Sequence, residues 1–429
     1  MNGDFITFSK TKSGTITISE EEALQKALDY IGAEKYMWED EQNEIFAREF
    51  EPNGTFYPHA ELAYVKDYYN EDLSKKFQTV LAYKFNIYAQ EPLSRNYVYV
   101  NAQTGEIVFK NAIIKLYGKK NKNHKQISEI KKSDNPKSTN SDFAATRYSG
   151  YQSIETNYSG GLYYLQDYTR GSGIFTYDMK TTTNYYSWNN IIDDDNKWTY
   201  AEYHNEKKED AAFDAHWGAE MVYDYWLNIH GRNSYDNSGS PLTSFVHYGV
   251  DYDDAFWNGS YMTYGDGSGY GGFDALTALD ICAHEIGHAV CDYTANLIYS
   301  YESGALNEGF SDIWGTCIEF YAAPDKNTWA IGEDIDMRPR SPYLRSMSNP
   351  NACEQPDTYK GDYWYTGSED YGGVHCNNSV LTHWFYLLTE GGSGINDNGD
   401  AYNVTGIGID KAEQIAYKTE SVYLNPDDE

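Results

Sequence analysis

Between residues 118 and 141 the chain almost runs out of apolar side chains, and no single hydrophobic core can be continued across such a stretch. Lysines crowd it instead, at Lys119, Lys120, Lys122, Lys125, Lys131, Lys132 and Lys137, with Asn and Ser between them. A segment of this kind buries too little to offset the entropy of ordering its backbone, so 115–142 reads as a linker. The chain must then fold as separately cored units on either side, and 429 residues suffice for two or three of them. One reading of the linker is a solvated tether. The sharper one is an exposed cleavage segment, a maturation site that separates a removable N-terminal unit from the rest of the chain.

Within 1–114, the spacing predicts a helix over 19–36: Ser19 caps it, acids fill its first turn, and Ala23, Leu24, Ala27, Leu28 and Ile31 share one face. Strand-like runs come next at 61–65, 78–89 and 97–100, the last turning through Gly105 into 106–109 as a hairpin. This predicts a small unit with a helix on an antiparallel sheet. From 143 to 258 the sequence is short-period, Tyr-rich and punctuated by Gly and Asn, which favours strands, with one helix at 210–230. Helical patterns then dominate, at 276–293, 305–321, 379–388 and 411–419. The fold class is therefore α+β, with a β-rich lobe over 143–275 and a helical lobe over 276–429.

Acidic residues outnumber basic ones 65 to 33, a formal charge of −32, so nucleic acid and anionic membrane are repelled over most of the surface and bound cations are welcome. The chain has no apolar run of about 18 residues, the length of a membrane span. Residues 1–10 lack the basic-then-apolar pattern of a secretory signal. Five cysteines, Cys282, Cys291, Cys317, Cys353 and Cys376, contain no C-x-x-C pair, so neither a thiolate zinc site nor a disulfide framework is indicated. Pairing of Cys353 with Cys376, both in loop-like sequence, stays open.

The chemistry is concentrated at His284-Glu285-Ile286-Gly287-His288. Four residues are just over one helical turn, so both imidazoles point the same way and can share one metal ion. Glu285 is rotated from them, able to reach a water on the metal without ligating it. Chance alone would produce this pattern in on the order of a per cent of chains this long. Here it lies on an apolar-faced helix, with Leu276, Leu279, Ile281, Ala283, Ile286 and Val290, where unpartnered His and Glu would suffer desolvation. Zinc wants a third protein ligand, and Glu308 in Asn307-Glu308-Gly309-Phe310-Ser311-Asp312 offers an anionic oxygen. Asp312, one turn on, is placed to hold the outer nitrogen of a ligand imidazole.

These stretches, together with DAFWNGSYMTYGDG (254–267), CDYTANLIYSYESGALNEGFSDIWG (291–315), LRSMSNP (344–350) and DYGGVHCNNS (370–379), resemble the thermolysin-like neutral metallopeptidases, bacillolysin included. The resemblance runs from about Ala144 to Leu424. It implies a β-rich lobe and a helical lobe with one catalytic zinc in the cleft between them, held by His284, His288 and Glu308, and Asp312 and Asn307 behind the two histidines. It implies Glu285 as general base, Tyr299 and His375 as donors to the oxyanion, Asp370 orienting His375, and Arg345 gripping a substrate carbonyl. The strand Ala255, Phe256, Trp257 would bind extended peptide by its backbone. Ile281, Ile331, Ile335 and Leu344 match the pocket for the residue after the cut, implying Leu, Phe or Ile there; each could equally be a core aliphatic.

The same resemblance implies calcium at Asp280, Glu319 and Glu333, whose hard oxygens suit that ion. An inserted residue over 325–330 leaves Thr328 and Ala330 where further acids are expected, so one calcium is expected, not two. A further calcium site before residue 344 is missing from the pattern of 336–342. Asp254 stands where the family has a backbone-clamping asparagine, and an ionised carboxylate accepts but cannot donate. EEALQKAL, PHAELAYV and NAQTGEIV resemble the pepsin-inhibitor-like half of the family's propeptide, a chaperone and inhibitor and hence a partner of the enzyme. The chain reads as a fragment at both ends, lacking a signal peptide and the family's last helices. The expectation is a secreted, monomeric endopeptidase precursor acting on protein or peptide, with no nucleic-acid or membrane partner. Two other classes compete with it. A non-catalytic, metal-stabilised homologue is disfavoured by the three-ligand site with Glu285, Tyr299 and His375 intact. A zinc aminopeptidase would need Asp254 to clamp a free amine.

Overall fold

The computed structural model describes residues 16–50, 54–70, 78–115, 139–326, 329–339 and 343–428. Among these, 16–114 form one unit, and Lys115 with 139–428 forms a second. The lysines of the expected linker lie outside the described residues, as does Thr328.

In the first unit, Ser19 accepts the Glu22 N–H on its Oγ at 3.1 Å and starts α1 (Glu20–Ile31), a cap worth about 1 kcal/mol. Gly32, at φ 64°, returns its N–H to Leu28 and ends the helix, earlier than the spacing predicts. A second helix, α2 (Glu41–Phe50), was not anticipated. Strands β1 (Glu61–Lys66), β2 (Thr79–Glu91), β3 (Leu93–Asn101) and β4 (Ile107–Ala112) pair antiparallel in sequence order. Period-2 alternation puts Phe85, Ile87, Val98 and Val100 into one core with Ala23, Leu24 and Ala27 of α1.

The second unit opens with an antiparallel set, β5 (Thr139–Ala145), β6 (Tyr151–Ser159) and β7 (Leu162–Tyr164). A mixed sheet comes next, with β8 (Ile174–Asp178) reached before the long helix α3 (Ala211–His230) and three strands after it: β9 (Leu242–Val246), β10 (Ala255–Trp257) and β11 (Met262–Tyr264). β9 pairs parallel with β8 and β11, and all five of its residues are buried, as expected of a strand covered on both faces. β10 pairs antiparallel with β11 and forms the sheet edge.

The remainder is mostly helical: α4 (Leu279–Asp292), α5 (Tyr301–Ala322), α6 (Ser379–Glu390) and α7 (Ile409–Lys418). The hairpin of β12 (Gly391–Ile395) and β13 (Ala401–Thr405) escaped the sequence reading. α4 and α5 approach closely because a Cβ on Gly287 would meet the Ser311 Cα at 3.0 Å, and one on Gly315 the Asp280 carbonyl at 2.9 Å. That approach sets which side chains of the two helices can meet. Among the described residues no helix is long and apolar enough to cross a membrane. All five cysteine thiols are free, so Cys353 and Cys376 are not bridged.

Candidate active site

α4 presents His284 and His288 on one face, with ring centroids 4.7 Å apart. Their outer nitrogens are both taken. His284 Nδ1 meets Asp312 Oδ1 at 2.8 Å, and His288 Nδ1 meets Asn307 Oδ1 at 2.7 Å and Ser311 Oγ at 2.9 Å. Asp312 is itself fixed by Arg345, which donates from Nε and a terminal nitrogen at 2.7 Å each, and by Asn378 Nδ2 at 2.8 Å. The inner nitrogens are thereby turned toward Glu308 of α5. His284 Nε2 lies 3.4 Å from Glu308 Oε2, and His288 Nε2 3.3 Å from Oε1.

One ligand atom from each of these three residues lies within 4.8 Å of the others. Glu308 is fully buried and its Oε2 accepts no hydrogen bond, an arrangement that costs about 1–3 kcal/mol or more without compensation. Two imidazoles with fixed outer nitrogens and a carboxylate short of a partner suit zinc, and they leave the fourth position of a tetrahedron to a non-protein group. Among the described residues the only other such group is Asp193, Asp194 and Asp195, the last two exposed, which the sequence reading did not single out.

Glu285 is buried beside this triad and accepts the Trp257 backbone N–H on Oε2 at 2.8 Å. Burial pushes its acid up to about 7; His284 opposes that and Glu308 adds to it. On the other side, Tyr299 donates to Glu308 Oε1 and lies 3.2 Å from His375 Nε2. His375 is set by Asp370, which meets Nδ1 at 2.6 Å and accepts the His375 N–H at 3.0 Å. Tyr371, Gly372 and Gly373, at φ 51°, 97° and 81°, kink the backbone between that acid and that imidazole; such a left-handed run explains the paired glycines.

A cavity over the triad is lined by Glu285, His284, His288, His375, Arg345, Ala255, Ile281 and Leu344, with Phe273, Leu276 and Lys115, which the sequence reading did not select. Ile331 and Ile335 are fully buried and do not line it. Phe256 packs against Tyr248 and Tyr252, and Asp254 accepts the Ala255 N–H at 3.0 Å. At the start of α4, Asp280 accepts the Gly332 N–H at 2.6 Å. Burial, then Asp280 and Glu333, push the nearby Glu319 up to about 9. Lys326 pairs with Asp334 beside them.

A β-rich region followed by a helical one, with two imidazoles and an acid on an H-E-x-x-H helix and a carboxylate from the next, defines the metallopeptidase class. Within it, the chain belongs to the thermolysin metallopeptidase family: the family's catalytic domain matches residues 141–292 and its alpha-helical domain 295–429. Bacillolysin of Bacillus caldolyticus and thermolysin of Alicyclobacillus acidocaldarius subsp. acidocaldarius are each 47% identical over 276 residues, 64% of this chain and 48% of theirs. Bacillolysin of Bacillus cereus is 44% identical over 276 residues, 64% of this chain and 46% of its own. The chain thus spans about half the length of the curated relatives it matches. The solved precursor of protealysin, a metalloproteinase from Serratia proteamaculans, aligns at TM-score 0.48 and 31% identity over 60% of this chain and 77% of that one.

Proposed function

We propose that this chain is the precursor of a zinc-dependent endopeptidase. The observation that carries the reading is the convergence of His284, His288 and Glu308 with Glu285 beside them, at the bottom of a cavity bordered by the sheet edge β10. His284, His288 and Glu308 would hold zinc, which would act there as a Lewis acid toward a peptide carbonyl and a water. Glu285, buried beside the triad and oriented in the free chain by the Trp257 N–H, takes the proton from the attacking water and hands it to the leaving amine. Tyr299 and His375 converge beside Glu308, where they can donate to an oxygen that gains negative charge. Asp370 keeps His375 turned that way.

An extended peptide would pair through its backbone with the sheet edge Ala255–Trp257, replacing the contacts that the Ala255 and Trp257 N–H groups make with Asp254 and Glu285, so recognition there does not depend on the peptide's side chains. Ile281 and Leu344, joined by Phe273 and Leu276, form an apolar lining suited to Leu, Phe or Ile after the cut. Arg345 supports Asp312 and reaches the same cavity, where it can meet a substrate carbonyl. One calcium at Asp280, Glu319 and Glu333 would relieve the crowding of like charges there. The unit over 16–114 is assigned as a propeptide removed on maturation of a secreted enzyme, acting as a monomer.

The deciding experiment is hydrolysis of casein and of blocked dipeptides by the processed protein, with and without a chelator, beside Glu285→Gln. Activity should vanish with the chelator and fall roughly 10³-fold in the variant. Survival in Glu285→Gln removes its role, and chelator-insensitive hydrolysis removes the metal.

A further inference from the structure

α4 carries one functional stripe. Ile281, then His284 and Glu285, then His288, then Asp292 recur at three- and four-residue steps, so they run along one face over roughly 16 Å at 1.5 Å per residue. The apolar lining stands at the Ile281 end. Asp292 stands at the other, one turn beyond His288, and neither the motif nor the mechanism uses it.

Asp292 is oriented from the sheet edge: its Oδ2 accepts the Trp257 indole N–H at 3.1 Å. Its Oδ1 accepts from Lys115 Nζ at 2.9 Å. The Lys115 side chain is only 2% exposed, although an ammonium taken out of water costs several kcal/mol unless it is paired. Its Nζ lies 5.6 Å from the Tyr299 ring centroid, so a carboxylate and an aromatic ring together receive the charge. Lys115 lines the same cavity as Glu285, His288 and His375.

We propose that Asp292, backed by the Tyr299 ring, is a subsite for a basic side chain in one of the two residues preceding the bond to be cut, and that Lys115 is the chain's own occupant of it. The assignment rests on the endopeptidase reading above. With the residue after the cut in the apolar lining, a peptide passing over the metal-binding residues runs toward Asp292 with its preceding residues. One helical turn, about 5 Å, is covered by one or two residues of extended chain. The preferred substrate is then a peptide with Lys or Arg shortly before a large apolar residue. Lys115 competes with it.

The test compares the full chain, Asp292→Asn and Lys115→Met on casein and on blocked peptides. The peptides share Leu after the cut and carry Lys or its uncharged analogue norleucine at the first or the second position before it. The readout is the ratio of kcat/KM for Lys over norleucine, in which a general loss of activity cancels. A ratio of about ten at one position is expected for the full chain and for Lys115→Met, falling to about one in Asp292→Asn, with Lys115→Met hydrolysing the Lys peptide several-fold faster than the full chain. Casein cleavage with equal use of the two peptides by the full chain overturns the subsite while leaving the peptidase reading intact. A Lys preference that persists in Asp292→Asn also overturns it. No cleavage of casein by any of the three, either as the full chain or after proteolytic removal of the N-terminal unit, removes the peptidase reading and this proposal with it.

Discussion

Two buried charge clusters share the α4–α5 pair, and they are held together differently. At the start of α4, burial raises the acids of both Asp280 and Glu319, and neighbouring carboxylates add to it: Asp280 and Glu333 at Glu319, Asp334 at Asp280. A turn further on, the imidazoles of His284 and His288 face the single carboxylate of Glu308, and Asp312, Asn307 and Ser311 hold the outer nitrogens of the rings. Imidazoles whose outer nitrogens are hydrogen-bonded keep their geometry through those partners. Like charges keep theirs only while a cation or protons offset the repulsion. The difference teaches where function and stability should separate: metal loss at the triad should stop chemistry with little effect on folding, and at the acidic cluster it should do the reverse.

The largest effect that could break this contrast is in the triad. Glu308→Gln should lower bound zinc from one per chain to under about a tenth and casein hydrolysis by roughly 10³-fold or more, with the melting midpoint moved by only a few degrees. Metal analysis beside calorimetry checks it, and a collapse of the midpoint would show that the triad is structural. Next, His375→Ala should cost about 10²-fold in kcat with zinc content unchanged, since it removes a donor and no ligand. Loss of zinc in that variant would place His375 among the ligands instead.

The smallest effect is in the acidic cluster and depends on pH. In a calcium chelator, Glu319 has a folded value of about 9 against an ordinary 4.5. The folded state therefore binds the extra proton between those values, and the stability this proton brings is present at low pH and lost as pH rises through 9. The midpoint should fall by a few degrees from pH 5 to pH 9 in chelator, and the slope should flatten in calcium or in Glu319→Gln. A slope unaffected by either would assign the pH dependence to another buried acid, such as Asp214, whose carboxyl burial pushes up to about 8.

What was legible and what was not divides by range. α1 was readable because its cap, acidic first turn and apolar face lie within a dozen residues, and α4 because its apolar spacing frames the two histidines. The β12–β13 hairpin was not, because four of the five residues of β12 are exposed, with none of the alternation that marks a half-buried strand. Nor was the parallel pairing of β9 with β8, which joins segments separated by the whole of α3. Within the site, Ile281 and Leu344 line the cavity while Ile331 and Ile335 lie in the core, a distinction that aliphatic identity alone does not carry.

By itself the sequence determined that two imidazoles and an acid share a helical turn, that a carboxylate comes on the next helix, and that a lysine-rich stretch separates two cores. Each of these depends on helical periodicity or local composition, which neighbouring residues settle among themselves. Only the tertiary structure decided that β10 is a sheet edge, that Phe273 and Leu276 complete the cavity, and that Lys115 meets Asp292 across 177 positions of chain. Contacts that distant carry a loop-closure entropy that no local pattern encodes, so they form only where the packing of the cores brings the groups together.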